Sequence, residues 1–426
     1  MSEQRNRESL LGGCRVLDVT NERGLLCGKI PGDLGADVIK VEPPGGDPAR
    51  SIGPFYKDIP DPQKSLFWFC TNLNKRGITL NLETADGRDI FQRLVKAADF
   101  VIESFEPGYM ASLGLGYSDL EKVNPELVMT SITPFGQTGP FAHYKATDLI
   151  GAGMGGHMML YAYPDSPPLR ISAPQFYFQG SIHGALGSMV AHYHRELTGE
   201  GQHVDVSCQQ AVALTLMSAA EYWDILKVNY RGAGEFYTAP RPTPLGPLKM
   251  RWTWPCKDGY VALAHLSGGA VASYVNSSTA LVQIANQGGF AIEFKDYDWR
   301  TYDRSKTSQE FQSALEGELG DFLKTKTKAE LLDEALRRAI LLIPVTTAKD
   351  IAESPQLAAR EFFVQVEHPE LGQTITYPGF PIKLSETPHH YQRRSPLIGE
   401  HNLEIYEGEL GLSRENLTVL KARGII

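Results

Sequence analysis

Cysteine is scarce in this chain, and its scarcity limits the classes of protein that the chain can belong to. Five cysteines are spread over 426 residues, and no C-x-x-C pair occurs. A disulfide framework needs an even set of cysteines, and a structural zinc site needs closely spaced ligands. We therefore expect reduced thiols, a cytoplasmic protein and no bound metal. The cysteines are Cys14, Cys27, Cys70, Cys208 and Cys256.

Long apolar runs and an excess of positive charge are also missing. Met1 to Ser9 are polar and lack the apolar core of a signal peptide. No apolar run reaches the roughly 18 residues that a membrane helix needs. Lysine and arginine together number 41 against 50 aspartate and glutamate residues, a net charge of −9. Nucleic-acid binding depends on a basic surface, so we expect neither a nucleic acid nor a membrane as partner.

Common catalytic signatures are absent as well, which disfavours several enzyme classes. There is no H-E-x-x-H, no G-x-S-x-G and no Walker A loop. Gly151, Gly153 and Gly156 spell G-x-G-x-x-G, but no full strand precedes them, as a nicotinamide site would require. We interpret them as a glycine-rich wall that lets the backbone approach a ligand. The preceding Lys145 and Asp148 form either a surface ion pair or part of a ligand site.

What the chain does contain is an alternation of strand-like and helix-like segments. Short apolar runs are followed by turn residues, and helix-like stretches at 24–35 and 84–95 separate some of them. This alternation predicts an α/β fold with a Rossmann-like large domain and an open, mostly parallel sheet. The predicted strands are 15–19, 36–42, 78–82, 99–103 and 127–132.

The middle of the chain changes character, which predicts a second domain. Residues 230–259 hold several prolines and aromatics, and the α/β pattern returns after about 343. We predict that 1–228 and 341–426 build the large domain. Residues 229–340 then form a smaller inserted α/β domain with its linkers.

Several segments, in order along the chain, resemble the class III CoA-transferase family. They cover nearly the whole chain except for much of 230–335. The matching stretches are 18–47, 74–82, 102–117, FGQTGP at 135–140, TGEGQHVDVS at 198–207 and PLIGEH at 396–401. The resemblance implies a Rossmann-like large domain, a smaller inserted domain and an interlocked dimer.

The resemblance also implies a chemistry, and here the chain departs from the family. Family transferases use an aspartate as nucleophile, which receives the acyl group from the donor thioester. The matching segment 175–179 reads Gln-Phe-Tyr-Phe-Gln, and no Asp or Glu occurs from Leu169 to Arg195. We therefore expect no catalytic residue in this chain. Family racemases need that aspartate and a histidine where this chain has Thr147, so racemase activity is also disfavoured.

The family's coenzyme A contacts carry over unevenly. The resemblance implies that Lys145 contacts a phosphate and that the other matching residues line the nucleotide or the pantetheine arm. Pro43 and Ser112 stand where formyl-CoA transferase has arginines, which predicts a weaker grip on the phosphates. The implied binding residues are Glu22, Arg23, Leu80, Ser104, Phe105 and Lys145.

A heteromeric enzyme accounts for a family chain without its nucleophile. We expect a paralogous partner subunit that carries the catalytic aspartate. Coenzyme A thioesters would be substrates, and no cofactor would be bound permanently. Within the family, the whole-chain pattern is most similar to subunits that use succinyl-CoA and (R)-benzylsuccinate in anaerobic toluene degradation. The alternatives are a homodimeric transferase with a displaced nucleophile, such as Asp148 or Asp165, and an inactive regulatory or scaffold protein.

Overall fold

A computed structural model gives the fold of residues 9–163, 165–238, 248–264, 266–387, 389, 391 and 393–426. Residues 239–247 of the predicted linker lie outside this described part, as do residues 1–8 of the polar N-terminal stretch.

Strands and helices alternate through the first half of the chain. The strands are β1 (Arg15–Asp18), β2 (Asp37–Glu42), β3 (Lys75–Thr79), β4 (Phe100–Glu103), β5 (Val128–Thr133), β6 (Gln202–Ser207), β7 (Phe236–Thr238), β8 (Lys249–Arg251), β9 (Thr253–Cys256), β10 (Gly259–Leu263), β11 (Leu342–Pro344), β12 (Phe363–His368) and β13 (Gln373–Pro378). The α-helices are α1 (Leu25–Asp33), α2 (Leu66–Thr71), α3 (Ala85–Val95), α4 (Tyr109–Ser112), α5 (Tyr117–Leu120), α6 (Asp148–Met154), α7 (His157–Leu160), α8 (Phe176–Thr198), α9 (Cys208–Leu214), α10 (Met217–Glu221), α11 (Ala272–Gln287), α12 (Gln309–Lys324), α13 (Lys328–Arg338), α14 (Ala348–Ala352), α15 (Pro355–Ala359) and α16 (Arg414–Ala422). Short 3₁₀ or π segments occur at Pro48–Ser51, Tyr56–Asp58, Tyr222–Leu226, Ile292–Phe294, Trp299–Thr301, Pro369–Leu371 and Glu404–Glu409.

A parallel sheet of six strands forms the centre of the first half, in the order β3-β2-β1-β4-β5-β6. This confirms the predicted α/β class. The order reverses between β1 and β4, and in such sheets ligands bind outside the carboxyl ends of the strands at that point.

Both faces of this sheet are buried, which explains why its strands read as nearly continuous apolar runs. Leu17 and Val101 point to a core that includes Phe91 of α3 and Leu417 of α16. Successive residues of a strand point to opposite faces, so Val16 belongs to the core on the other side, with residues of α8.

The third strand begins earlier than the sequence predicts, at Lys75 instead of residue 78. Charged residues argue against a buried strand, but the two charged residues at the start of β3, Lys75 and Arg76, both have ion-pair partners. The Lys75 ammonium lies 2.7 Å from the Asp18 carboxylate, and Arg76 lies 2.6 Å from Asp37. Pairing offsets the cost of removing these charges from water, and local periodicity does not report such distant partners.

Contacts divide the chain into two compact units. The first comprises 1–158, 170–229 and 358–426, and the second comprises 159–169 and 230–357. The second unit contains the antiparallel sheet β11-β10-β9, and helices α11 to α13 contribute to a core around Trp254. In this division residues 341–357 belong to the second unit. The predicted domain boundaries at 229 and 341 stay predictions.

Candidate functional site

A crevice of about 450 Å³ lies in the first unit at the carboxyl ends of β1 to β4. Its walls come from the residues that follow each of these strands. We call it the strand-end crevice. It is lined by Val19, Thr20, Asn21, Val41, Glu42, Pro43, Pro44, Asp47, Pro48, Leu80, Asn81, Leu82, Glu83, Phe105, Tyr109 and Gly424.

The lining of the strand-end crevice contains carboxylates but neither lysine nor arginine among the described residues. The nearest buried cations are already paired. Arg50 donates to Glu42 at 2.6 and 2.7 Å, and the Lys40 ammonium lies 3.2 Å from the Asp47 carboxylate. Since phosphate recognition relies on charge-assisted hydrogen bonds from cations, this crevice is poorly equipped to hold a nucleotide phosphate.

A buried ion cluster connects the carboxyl end of β1, beside the crevice, to the start of β3. The Asp18 carboxylate accepts from the Lys75 ammonium at 2.7 Å and from the Thr20 hydroxyl at 2.6 Å. Burial alone would raise the pKa of Asp18, but Lys75 and Lys40 more than offset this and hold the pKa below its usual range. The cluster therefore joins the last residue of β1 to the first residue of β3 and holds Asp18 ionised.

A second space of about 640 Å³ in the same unit is mostly apolar, and we call it the apolar cavity. Helix α2 supplies Leu66, Phe67 and Cys70, which sequence reasoning missed. The signal available was Ser65, whose hydroxyl accepts from the backbone N–H of Trp68 at the start of α2. The lining consists of Glu22, Arg23, Ile52, Gly53, Pro54, Leu66, Phe67, Cys70, Ala146, Thr147, Asp148, Pro174, Tyr177 and Phe178.

Arg23 is the one cation in the lining of the apolar cavity among the described residues. Its Nη1 donates to Glu106 at 2.9 Å, while its Nε is buried and has no hydrogen-bond acceptor in the described structure. A buried N–H group without a partner is costly. The Glu22 carboxylate lies 3.9 Å from this Nε, an ion-pair distance but too long for a hydrogen bond.

Segment 175–179, where the family aspartate is expected, begins helix α8. Phe176 is fully buried in the core, and the ring reaches the backbone of Gly151 so closely that a Cβ there would lie 2.2 Å from it. Gly151 is thus required for packing against Phe176, and Gly151 and Gly153 lie inside α6 and not in a strand-to-helix turn. The close neighbour of Gly151 is the chain's own ring, not a ligand.

Tyr177 and Phe178 of this segment line the apolar cavity. The Tyr177 hydroxyl donates to the carbonyl oxygen of Ala146 at 2.7 Å. Burial raises the pKa of Tyr177, so the hydroxyl stays protonated at neutral pH. The segment presents aromatic rings and amides but no carboxylate, and it cannot form an acyl anhydride.

Asp148 is the carboxylate nearest to this segment in the cavity lining, and it has a structural role. Its Oδ1 accepts from the backbone N–H groups of Gln175 and Phe176, at 3.0 and 2.9 Å. No ion pair between Asp148 and Lys145 occurs in the described part of the chain, so the surface-pair interpretation is wrong. Thr147 acts as the N-cap of α6.

The implied coenzyme A contacts fall in different places. Glu22 and Arg23 line the apolar cavity, whereas Leu80 and Phe105 line the strand-end crevice. Ser104 is buried, and its hydroxyl bonds with Asn21. Lys145 is exposed and lines neither space. Contact of these residues with coenzyme A stays a prediction.

Glu103, directly before Ser104, is a buried carboxyl group with an altered titration. Burial raises the pKa of Glu103 to about 7, although hydrogen bonds from Ser131 and from the backbone of Phe105 oppose the rise. The group is therefore partly protonated near neutral pH.

Among the described residues, no cluster of three His, Cys, Asp or Glu side chains has a geometry that could hold a metal ion. Within the same residues, no helix is both long enough and apolar enough to cross a bilayer.

Comparisons with known proteins agree with this architecture. The family model for CoA-transferase family III matches residues 11–402. The BbsE subunit of succinyl-CoA:(R)-benzylsuccinate CoA-transferase from Thauera aromatica is 36% identical over 395 residues, 92% of each chain. Formyl-CoA:oxalate CoA-transferase from Streptomyces avermitilis is 33% identical over 98% of this chain and 99% of its own length.

A solved structure gives the same result. A CaiB/BaiF family protein from Brucella suis has a TM-score of 0.79 and 28% identity over 95% of this chain and all of its own. The chain belongs to the class III CoA-transferase family. CoA-transferase activity of this class is what these matches indicate.

Proposed function

We propose that this chain is the non-nucleophilic subunit of a heteromeric class III CoA-transferase. The observation that carries the proposal is the chemistry of segment 175–179. Its one side chain with a hydroxyl, Tyr177, is protonated and bonded to Ala146 at 2.7 Å. A paralogous partner subunit supplies the aspartate that attacks the donor thioester, and this chain completes the assembly.

An exposed apolar stripe on α8 supports a partner chain. Its members recur at intervals of three or four residues, so they share one face of the helix. Monomeric proteins rarely expose a large contiguous apolar surface. The stripe consists of Ile182, Leu186, Val190, Tyr193 and Leu197, with exposed fractions of 45, 60, 62, 68 and 68%. We propose that the partner covers this stripe in an interlocked hetero-oligomer.

The lining of the apolar cavity and one relative support a proposal about the substrates. We propose succinyl-CoA as donor and an aryl-substituted acid such as (R)-benzylsuccinate as acceptor. The rings of Phe67, Tyr177 and Phe178 in the apolar cavity support an aromatic acid, as does the similarity to the Thauera aromatica subunit.

The lining of the strand-end crevice supports a proposal about which subunit binds the coenzyme A phosphates. Because its lining lacks lysine and arginine among the described residues, we propose that the partner provides most of the grip on the coenzyme A phosphates. Lys145 would add one contact. No cofactor is bound permanently. The five free cysteines support a reducing compartment, the cytoplasm.

Reconstitution tests the proposal. The chain is purified alone and together with a paralogue that carries the family aspartate, and each sample receives succinyl-CoA and the acceptor acid. We expect no turnover and no covalent coenzyme A adduct on the isolated chain. In the complex, turnover appears, and mass spectrometry finds the adduct on the partner. An adduct on this chain alone contradicts the proposal, and turnover that does not depend on this chain indicates a scaffold.

One observation favours a second candidate, a homodimeric enzyme with a displaced nucleophile. Asp148 is a carboxylate that lines the apolar cavity. Against this, its Oδ1 already accepts two backbone hydrogen bonds, which lowers its nucleophilicity. Asp165 is exposed and belongs to the other compact unit.

A further inference from the structure

A third space lies in the first unit and shares no lining residue with the two described above. It has a volume of about 300 Å³ and lies beside the β12–β13 hairpin. We call it the hairpin cavity. Aromatic side chains form much of its wall, namely Phe362, Phe380, His389 and Tyr391.

The walls of the hairpin cavity are held in place by local contacts. The backbone N–H of Gly379 donates to the carbonyl oxygen of Phe362 at 2.7 Å, and a Cβ on Gly379 would lie 2.6 Å from that oxygen. The ring of His389 lies edge-on to Phe380 at 4.6 Å, and its two nitrogens face the carbonyl oxygens of Asp33 and Ile382 at 3.1 and 2.6 Å. The aromatic wall is therefore preformed.

The charge in the hairpin cavity is positive, within a chain of net charge −9. Lys383 and Glu361 neutralise each other across 2.9 Å. Arg360 also lines the space, and it forms no ion pair with any described residue. A guanidinium left available in this way is suited to bind a carboxylate with two parallel hydrogen bonds.

Tyr391 supplies a second donor. Its hydroxyl oxygen is buried and has no hydrogen-bond partner in the described structure. The backbone of Phe380 lies close enough to affect the titration of Tyr391, but burial dominates and raises its pKa. The hydroxyl therefore keeps its proton at neutral pH, and that proton needs an acceptor.

From this arrangement we propose that the hairpin cavity binds a small monocyclic aromatic carboxylate. The Arg360 guanidinium and the Tyr391 hydroxyl hold the carboxylate, and the rings of Phe362 and Phe380 enclose the aromatic ring. The volume suits one ring with a short acidic side chain and excludes a nucleotide. The site is separate from the proposed transfer site, so its existence does not depend on the proposed function.

Calorimetry on the full chain with phenylacetate tests this site. Phenylacetamide, which has the same shape without the charge, is the matched ligand control. We expect saturable binding of phenylacetate, and binding of the amide weaker by about tenfold or more. Arg360→Gln should weaken phenylacetate binding by about tenfold and Tyr391→Phe by a few-fold. Arg414→Gln, an exposed arginine of the same unit with a side chain 78% exposed, should leave the affinity unchanged.

The apolar cavity also holds an arginine and aromatic rings, so the experiment includes Arg23→Gln. Binding that survives Arg23→Gln but not Arg360→Gln supports the hairpin cavity. Three results overturn the proposal: no saturable binding, equal affinity for the amide, or loss with Arg23→Gln and retention with Arg360→Gln. Arg360 is exposed, so its variant should fold, and thermal unfolding of each variant confirms that it does.

Discussion

The hydroxyl of Tyr177 and the carbonyl oxygen of Ala146 are joined by a hydrogen bond of 2.7 Å. The two residues come from α8 and from the loop before α6, and both line the apolar cavity. The bond holds the first turn of α8 against that loop, at the place where the family's acyl-accepting carboxylate is expected. At this place the Tyr177 hydroxyl therefore makes a structural contact.

Tyr177→Phe should lower stability without affecting chemistry. Removing the hydroxyl leaves the Ala146 carbonyl without its donor, which costs about 1–3 kcal/mol of unfolding free energy. Urea unfolding measures this, and Tyr260→Phe, at a side chain 55% exposed, should change little. Loss of turnover in the reconstituted complex with unchanged stability would instead indicate a chemical role for the hydroxyl.

Asp148→Asn and Asp148→Ala separate the capping role from a nucleophilic one. Asparagine keeps an oxygen for the N–H groups of Gln175 and Phe176, whereas alanine does not. We expect Asp148→Ala to cost about 0.5–2 kcal/mol and Asp148→Asn to cost less. In the complex, mass spectrometry should still find the coenzyme A adduct on the partner when Asp148→Asn is present. An adduct on this chain that is present with wild-type Asp148 and absent with Asp148→Asn would instead support the displaced nucleophile.

Glu103 should make stability fall as pH rises. Its pKa is about 7 in the folded protein against 4.5 for an ordinary glutamate, chiefly because of burial. Between these values the folded state holds a proton that the unfolded state has lost, so stability decreases with rising pH, by roughly 3 kcal/mol in all. In Glu103→Gln the unfolding free energy should therefore change less between pH 4.5 and about 7 than it does in the wild-type protein. Glu126→Gln, at an exposed position, should leave the slope as it is.

Asp18→Asn should be among the most destabilising single changes. It leaves the buried ammonium of Lys75 without its carboxylate partner, which costs about 3–5 kcal/mol. The pKa of Asp18 is lowered in the folded state, so the wild-type protein loses stability as pH falls below the usual value of 3.8. The variant has no carboxyl group at this position, so it lacks this acid-dependent loss of unfolding free energy. Chemical denaturation at neutral and acidic pH measures both effects. Equal stability of the variant and of a surface control, Asp224→Asn, at a side chain 86% exposed, would contradict the role of the cluster.

Leu186→Glu and Val190→Glu should prevent assembly and leave the isolated chain folded. Both side chains are more than half exposed on the α8 stripe, so their replacement should change the unfolding free energy by no more than about 0.5 kcal/mol. A charge buried against the partner would be costly. Co-purification with the paralogue measures assembly, and Val419→Glu, 54% exposed on α16, is the matched control. Undiminished co-purification of both stripe variants would remove the stripe from the interface.

Local patterns predicted the parallel sheet well, but they failed where a residue's environment depends on distant partners. The start of β3 was misplaced because the ion pairs of Lys75 and Arg76 involve Asp18 and Asp37 from other strands. The α2 wall of the apolar cavity was missed altogether. Its contribution depends on packing, and periodicity over six residues is too short to reveal it.

The sequence by itself determined the family, the α/β class and the absence of a carboxylate from Leu169 to Arg195, because these follow from residue identity and local order. The tertiary structure decided that Phe176 is core while Tyr177 lines a cavity, and that Asp148 caps α8 instead of pairing with Lys145. It also decided that Arg360 and Tyr391 share one space. These relationships join residues far apart in the chain, and they arise only when burial and hydrogen bonding select one packing of the elements.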